Sequence, residues 1–104
     1  MEALASSLPN DKQNFFDMKV YLLVHNFAFD GTPDTNIEAY ATKQLAQDAM
    51  VKDYNDLEKE YRKSYDDQMV CYEEPSEDGA CIYIDGDYNE KHDDWTIVET
   101  KIIQ

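Results

Sequence analysis

The sequence has few of the residues on which phosphate-binding and metal-binding motifs depend. Its three glycines, Gly31, Gly79 and Gly86, are too far apart to form a GxGxxG or GxxxxGK[ST] phosphate-binding loop. The two cysteines, Cys71 and Cys81, lack the CxxC spacing of zinc sites and are too few for the disulfide framework of small secreted domains. We therefore expect reduced thiols, no bound metal or other cofactor, and no nucleotide chemistry.

Basic residues and long apolar runs are also scarce. Only 9 basic side chains stand against 23 acidic ones, which gives a formal net charge of −14 and argues against direct binding of nucleic acid or anionic lipid. No stretch approaches the roughly 20 apolar residues that span a bilayer, and the N-terminus lacks the basic start and apolar core of a secretory signal. We expect a cytoplasmic protein, without membrane association, whose partners are basic.

The remaining composition is that of a folded domain without obvious catalytic groups. Hydrophobic residues make up 42% and aromatic residues 12% of the chain, which is too much for a disordered acidic tail. The only histidines are His25 and His92, and no serine or cysteine pattern makes either of them part of a nucleophilic site. We expect a non-enzymatic protein with one domain over residues 18–104, preceded by an N-terminal tail over residues 1–17 that is partly ordered at most.

The first regular pattern is a β-strand that begins at Met18. Residues 18–25 (MKVYLLVH) carry apolar side chains on both faces, which predicts a central, well-covered strand. Turn chemistry follows over residues 27–36, where Asp30-Gly31 and Thr32-Pro33 end the strand and reverse the chain.

Residues 35–63 allow two interpretations. Thr35 and Glu38 fit a capping box that would begin one helix of about thirty residues. In the other interpretation, residues 36–41 form a short strand and Thr42 caps a helix from Lys43 to about Lys63. We favour the second, because the three-and-four spacing of apolar side chains is clean only after Thr42. That stripe consists of Leu45, Ala46, Ala49, Met50, Tyr54, Leu57, Tyr61 and Tyr65.

From Gln68 onward the pattern changes to period two, which predicts strands over residues 69–73, 80–84 and 95–103. A hairpin that is symmetrical about Ser76 would place Cys71 opposite Cys81. One hairpin face, packed on the helix, would carry Val70, Tyr72, Ile82 and Ile84; the other would carry Met69, Cys71, Cys81 and Tyr83. We therefore predict an α+β fold, a four- or five-stranded mixed or antiparallel sheet with one principal helix on one face, in the order ββαβββ or βαβββ.

Acidic residues are concentrated in the C-terminal part of the chain. Residues 64–99 contain twelve acidic side chains and a single basic one, Lys91. If Asp85 and Asp87 lie on a strand, their spacing of about 6.7 Å resembles that of neighbouring phosphates, and tyrosines beside them could anchor an interface. The predicted interaction surface consists of Glu73, Glu74, Glu77, Asp78, Tyr83, Asp85, Asp87, Tyr88, Asp93 and Asp94.

Two other functions fit the same residues. The acidity could serve only solubility in a small adaptor, whose functional surface would be the sheet face with Met69, Cys71 and Cys81. Residues 85–93 also place oxygen ligands at positions 1, 3, 5 and 9 of an EF-hand loop, which suggests a weak calcium-binding module. However, Glu90 replaces the glycine at position 6 and Thr96 replaces the glutamate at position 12. The sequence leaves the oligomeric state open.

The chain resembles small acidic uncharacterised proteins of bacterial and mobile-element genomes. The resemblance covers roughly residues 18–103 and rests on the run MKVYLLV from Met18, the Asp30-Gly31 turn, the central helix and the closing WTIVE from Trp95. Some short acidic proteins of phages and mobile elements are anti-restriction or anti-CRISPR factors that mimic DNA. The resemblance implies a non-enzymatic nucleic-acid mimic, which would inhibit a DNA-binding or defence protein by occupying its basic surface.

Overall fold

The computed structural model describes residues 17–103. Residues 1–16 of the predicted tail lie outside this range, and Asp17 already belongs to the first strand. The elements are β1 (Asp17–Phe29), β2 (Thr32–Tyr40), α1 (Lys43–Ser64), β3 (Val70–Glu73), β4 (Gly79–Ile84) and β5 (His92–Ile103), with a short 3-10 helix (Asp67–Met69) before β3. The strands form one antiparallel sheet in the order β2-β1-β5-β4-β3, and α1 packs on it. The predicted α+β fold and its ββαβββ order are confirmed.

The first hairpin turns within two residues. Asp30 and Gly31 both adopt positive φ angles, 53° and 75°, as a two-residue type I′ turn requires. β2 therefore begins at Thr32, earlier than the reversal over residues 27–36 suggested. It is an exposed edge strand along almost its whole length, which explains why its sequence shows little hydrophobic alternation.

Helix α1 begins where the strand-then-helix interpretation places it. The Thr42 side chain accepts a hydrogen bond from the Leu45 backbone N–H at 3.2 Å, which satisfies one of the helix's unpaired N-terminal donors. Its buried side chains belong to the predicted stripe and are Ala46, Met50, Tyr54 and Tyr61. Leu45 does not follow the prediction, because it lies beside the stripe and is 50% exposed.

The core lies between α1 and one face of the sheet. Its largest fully buried side chains are Trp95, Tyr54, Tyr61, Met50 and Ile82. Trp95 comes from β5, the middle strand of the sheet, and its ring lies edge to face with the Tyr54 ring at a centroid distance of 5.9 Å. Aromatic burial of this kind supplies most of the apolar area that a small domain needs.

The register of the β3–β4 hairpin differs from the prediction by two residues. Cys71 pairs with Tyr83, and Cys81 pairs with Glu73; the predicted Cys71–Cys81 pair is wrong. The reason lies in the loop, where the Ser76 backbone N–H donates to the Gly79 carbonyl at 2.8 Å and moves the centre of the turn one residue along. A shift of two residues preserves the faces, so the side chains predicted to pack on the helix do so.

The helices and strands of residues 17–103 cover only one face of the sheet. Leu23 on β1 is buried under α1, whereas Val20, Leu22 and Val24 point to the opposite side, where no described helix or strand packs. We call this side the open face. The prediction that the first strand is central is confirmed, but the prediction that it is well covered on both sides is wrong for residues 17–103.

Candidate functional site

Two rows of side chains cross the open face near the β3 edge. The strand registers place Glu73, Cys81 and Asp94 in one row, since Glu73 pairs with Cys81 and Cys81 with Asp94. They place Cys71 of β3, Tyr83 of β4 and His92 of β5 in the next row. Carboxylates from two different strands therefore flank a thiol on the same face, beside a row that contains two aromatic rings.

The ring of Tyr88 covers this region from the β4–β5 loop. It stacks on His92 with a centroid distance of 3.9 Å and an interplanar angle of 9°, and meets Tyr83 edge to face at 5.5 Å. Its hydroxyl donates to Asp94 Oδ2 at 3.0 Å, and its carbonyl oxygen lies 2.7 Å from His92 Nδ1. Because both the ring and the hydroxyl are held, Tyr88 is positioned before any partner arrives.

A shallow depression of about 490 Å³ lies at the row formed by Glu73, Cys81 and Asp94. Among the side chains that line it are Glu73 at the end of β3, Glu74 in the following loop and Asp94 on β5. We call these three carboxylates and the two tyrosines the acidic–aromatic patch; its members are Glu73, Glu74, Tyr83, Tyr88 and Asp94.

Titratable groups in the patch experience a negative local potential. Burial, followed by the charges of Asp94 and Glu73, raises the pKa of the neighbouring Cys81 thiol to about 12. The pKa of Tyr88 is also raised, first by burial and then by its hydrogen bond to Asp94. A negative potential disfavours the anionic forms of both the thiol and the phenol, and the same potential attracts a cation.

No described strand residue on the open face is a lysine or arginine. Lys91, the single basic residue of the acidic segment, points to the helix side, where its Nζ lies 5.0 Å from the centre of the Tyr61 ring. Lys19 on β1 and Lys101 on β5 occupy opposite positions in the strand register, on the helix side as well. Among the described strand residues of this face, the carboxylates of the patch therefore have no lysine or arginine beside them, and Asp94 is held by the Tyr88 hydroxyl.

Four of the other predicted surface residues lie outside the patch. Glu77 and Asp78 turn towards α1, where the Lys43 Nζ lies 2.8 Å and 3.0 Å from their carboxylates. Asp85 and Asp87 lie in the exposed turn after β4, where the Asp87 backbone N–H donates to the Ile84 carbonyl at 3.0 Å. They are not on a strand, so the condition for the strand spacing of about 6.7 Å is not met.

Asp93 is the one predicted surface residue that is buried. It is 3% exposed on the helix side of β5; its Oδ1 lies 2.7 Å from His25 Nε2, and its Oδ2 accepts a hydrogen bond from the Tyr61 hydroxyl at 2.8 Å. The His25 ring in turn stacks on Trp95 at 4.6 Å. Asp93 therefore joins sheet and helix inside the protein and cannot contact a partner.

The burial of Asp93 had no signal in the local sequence. His92, Asp93 and Asp94 resemble the polar loop that precedes them, and we predicted that the last strand begins at Trp95. In the structure it begins at His92, and strand alternation then sends Asp93 and Asp94 to opposite faces. His92, a residue that we had not assigned to the surface, supports Tyr88 from beneath.

The two surfaces that the sequence offered as alternatives share one face. Cys71 and Cys81, which we assigned to the adaptor surface, lie beside Glu73, Tyr83 and Asp94 on the open face. Tyr83 has a raised pKa, whose first cause is its hydrogen bond with Cys71. Met69 is the exception, because it ends the 3-10 helix before β3.

Comparison of the chain with family models, with curated proteins and with solved structures found no significant match. Within residues 17–103, no three histidine, cysteine, aspartate or glutamate side chains converge to hold a metal ion. The same part of the chain has no helix long and apolar enough to cross a bilayer.

Proposed function

We propose that the protein is a non-enzymatic interaction protein that binds a basic protein surface through the acidic–aromatic patch. The observation that carries the proposal is the convergence of Glu73, Glu74 and Asp94 on one depression beside the ring stack of Tyr83, Tyr88 and His92. This arrangement combines charge, shape and aromatic surface at one place.

Arginine and lysine are the side chains that fit this patch. A guanidinium or ammonium group in the depression would meet carboxylates from β3, the following loop and β5, which favours charge-assisted hydrogen bonds. The nearby tyrosine rings offer faces for cation–π contact. Because Tyr88 is already held by His92 and Asp94, little ordering entropy would be lost on binding.

The partner class that we propose is a nucleic-acid-binding protein. Basic grooves that attract phosphates also attract a domain with a net charge of −14, and long-range attraction of this kind accelerates association. The protein would then act as a nucleic-acid mimic that occupies the groove of a DNA-binding or defence protein. This part of the proposal rests on charge and on the acidic–aromatic patch, since Asp85 and Asp87 do not form a phosphate-like row.

A capture experiment with two charge-matched variants tests the proposal. The patch variant carries Glu73→Gln, Glu74→Gln and Asp94→Asn. The control variant carries the same number of neutralised acids on the exposed side of α1: Asp48→Asn, Asp56→Asn and Glu60→Gln. Each protein is used to capture partners from nuclease-treated bacterial lysate, and the captured proteins are identified by mass spectrometry at low and moderate salt.

The two variants distinguish binding through the acidic–aromatic patch from general attraction by the net charge. The wild-type protein and the control variant should retain the same nucleic-acid-binding proteins, which duplex DNA should release and the patch variant should not retain. At about 0.5 kcal/mol for each exposed carboxylate, the patch variant should bind a purified partner about tenfold more weakly. Equal capture by the wild-type protein and the patch variant, or no capture by either, would indicate that the acidity serves only solubility.

A further inference from the structure

The pair formed by β1 and β5 extends beyond the rest of the sheet. These strands pair from Asp17–Ile103 to Ala28–His92, whereas β4 pairs with β5 only as far as Thr96. The Ile97 backbone N–H still donates to the Asp78 carbonyl at 2.8 Å. From Val98 to Thr100, no described strand lies beside the outer edge of β5.

The backbone of this edge is oriented to accept another strand. In an antiparallel strand, the N–H and C=O groups of successive residues point to alternate sides. Since the Ile97 N–H points away from β1, the backbone groups of Glu99 and Lys101 point to the same outer side. An edge of this kind is a template for pairing with another chain.

The open face beside this edge is apolar and uncharged. Val98 and Ile102 on β5 are each 43% exposed, and Met18, opposite Ile102 on β1, is 44% exposed. The acidic members of the patch lie at the other end of the face, on β3, the loop after it and the start of β5. Clustered exposed apolar side chains mark interaction sites.

We propose that a second copy of this chain pairs its β5 with this edge, antiparallel, about a twofold axis at Thr100. The pairing would join residues Val98–Ile102 of both copies and would continue one sheet through the dimer. It places Glu99 opposite the partner's Lys101, and Val98 opposite the partner's Ile102. This interface is isologous, as a twofold axis requires.

Charge complementarity selects this register over its neighbours. The outward backbone groups of the two copies face each other only if the twofold axis passes through a residue. An axis between two residues would place outward groups opposite inward ones. An axis at Glu99 would oppose two glutamates, and an axis at Lys101 would oppose two lysines. Only the axis at Thr100 gives two Glu99–Lys101 pairs, and opposite charges directly across a strand pair are favourable.

The size of the interface and its symmetry have two consequences. Five residues from each strand bury less than the roughly 1,600 Å² of a standard interface, so we expect a dimer that dissociates in the micromolar range. Because the axis is perpendicular to the sheet, the open faces of both copies look to the same side. The dimer would present two acidic–aromatic patches to one partner surface, although its formation does not depend on their function.

A charge-swap cycle tests the dimer and its register. Glu99→Lys places lysine opposite lysine and Lys101→Glu places glutamate opposite glutamate, whereas the double variant restores opposite charges in reverse order. Sedimentation velocity of the full chain is measured over a concentration series through the micromolar range. Circular dichroism of each variant confirms that the monomer remains folded, since Glu99 also pairs with Lys19 at 3.6 Å in an exposed contact.

The proposal predicts recovery in the double variant. Each single variant should dimerise about tenfold more weakly than the wild-type chain, and the double variant should return to within about threefold of it. Glu99→Lys lowers the net negative charge and therefore reduces the general repulsion between two copies. If it nevertheless weakens dimerisation, the loss must come from the local contact with Lys101 of the other copy. A wild-type chain that is monomeric throughout would overturn the proposal and leave this edge to a different protein. Equal dimerisation of all four chains would overturn the register.

Discussion

The hydroxyl of Tyr61 should contribute far more to stability than the hydroxyl of Tyr54. Both side chains project from α1 into the core, two turns apart. Tyr61 donates to the buried carboxylate of Asp93 at 2.8 Å, whereas the Tyr54 hydroxyl is buried without a hydrogen-bond partner among the described residues. Tyr61→Phe and Tyr54→Phe remove the same atom from the same layer, so each is the matched control for the other.

The two magnitudes follow from the environment of each hydroxyl. Burial, followed by the charge of Asp93, raises the pKa of Tyr61, so the phenol remains a donor. A hydrogen bond to a charged group contributes about 1.5–3 kcal/mol, and Asp93 keeps His25 as a partner, so we expect Tyr61→Phe to cost about 2 kcal/mol. Tyr54→Phe removes a desolvated, unpaired hydroxyl and should be neutral or stabilising by up to about 1 kcal/mol.

Urea unfolding monitored by circular dichroism and by Trp95 fluorescence measures both variants. In thermal unfolding of a domain of this size, 1 kcal/mol corresponds to about 4–8 °C in Tm, so a difference of about 2 kcal/mol should separate the Tm values of the two variants by about 8–16 °C. An unchanged slope with urea would show that the unfolded state is the same in both. Equal losses in the two variants would refute the assignment of the Asp93 bond as the source of the difference.

Three further predictions concern partly buried positions. The pKa of Asp53 is raised, and burial is the largest cause. The native protein therefore binds the carboxyl proton of Asp53 more tightly than the unfolded chain does. The free energy of unfolding should fall as the pH rises from the unfolded-state pKa through the higher folded-state pKa. Asp53→Asn should therefore increase the urea midpoint at pH 7 but not below about pH 3.5. With Cys71→Ser as background, Cys81 should not react with iodoacetamide at neutral pH until the protein unfolds, because its pKa is raised to about 12; rapid labelling of the native protein would contradict this. Gly79→Ala should lower the thermal midpoint, because a Cβ would lie 2.9 Å from the Trp95 carbonyl oxygen; an unchanged midpoint would show that the strands separate at little cost.

Much of the fold could be predicted because it follows from local periodicity and capping. The stripe after Thr42 and the alternation after Gln68 each specify which side chains face the core, and Val70, Tyr72, Ile82 and Ile84 do so. The hairpin register could not be obtained in this way. It depends on the hydrogen bonds of Ser76 within the loop, and a slip of two residues leaves the hydrophobic pattern unchanged.

The candidate site could be predicted in composition but not in arrangement. Tyr83, Tyr88 and Asp94 were expected near one another because the sequence clusters them. Asp93 instead points into the core, because it contacts His25 and Tyr61, which are distant in sequence. No local sequence pattern encodes these contacts. A buried carboxylate is stable only where such partners meet it, and the sequence shows these residues far apart along the chain.

An NMR titration shows whether the acidic–aromatic patch binds cationic side chains. A short poly-arginine peptide is added to the isotope-labelled full chain, and backbone amide shifts are followed at each step. We predict that the largest shifts occur at Glu73, Tyr83, Tyr88 and Asp94, saturate together and diminish with added salt. Shifts spread evenly over the acidic residues of α1 and the loops would contradict the account, because they would show attraction by net charge without a binding site.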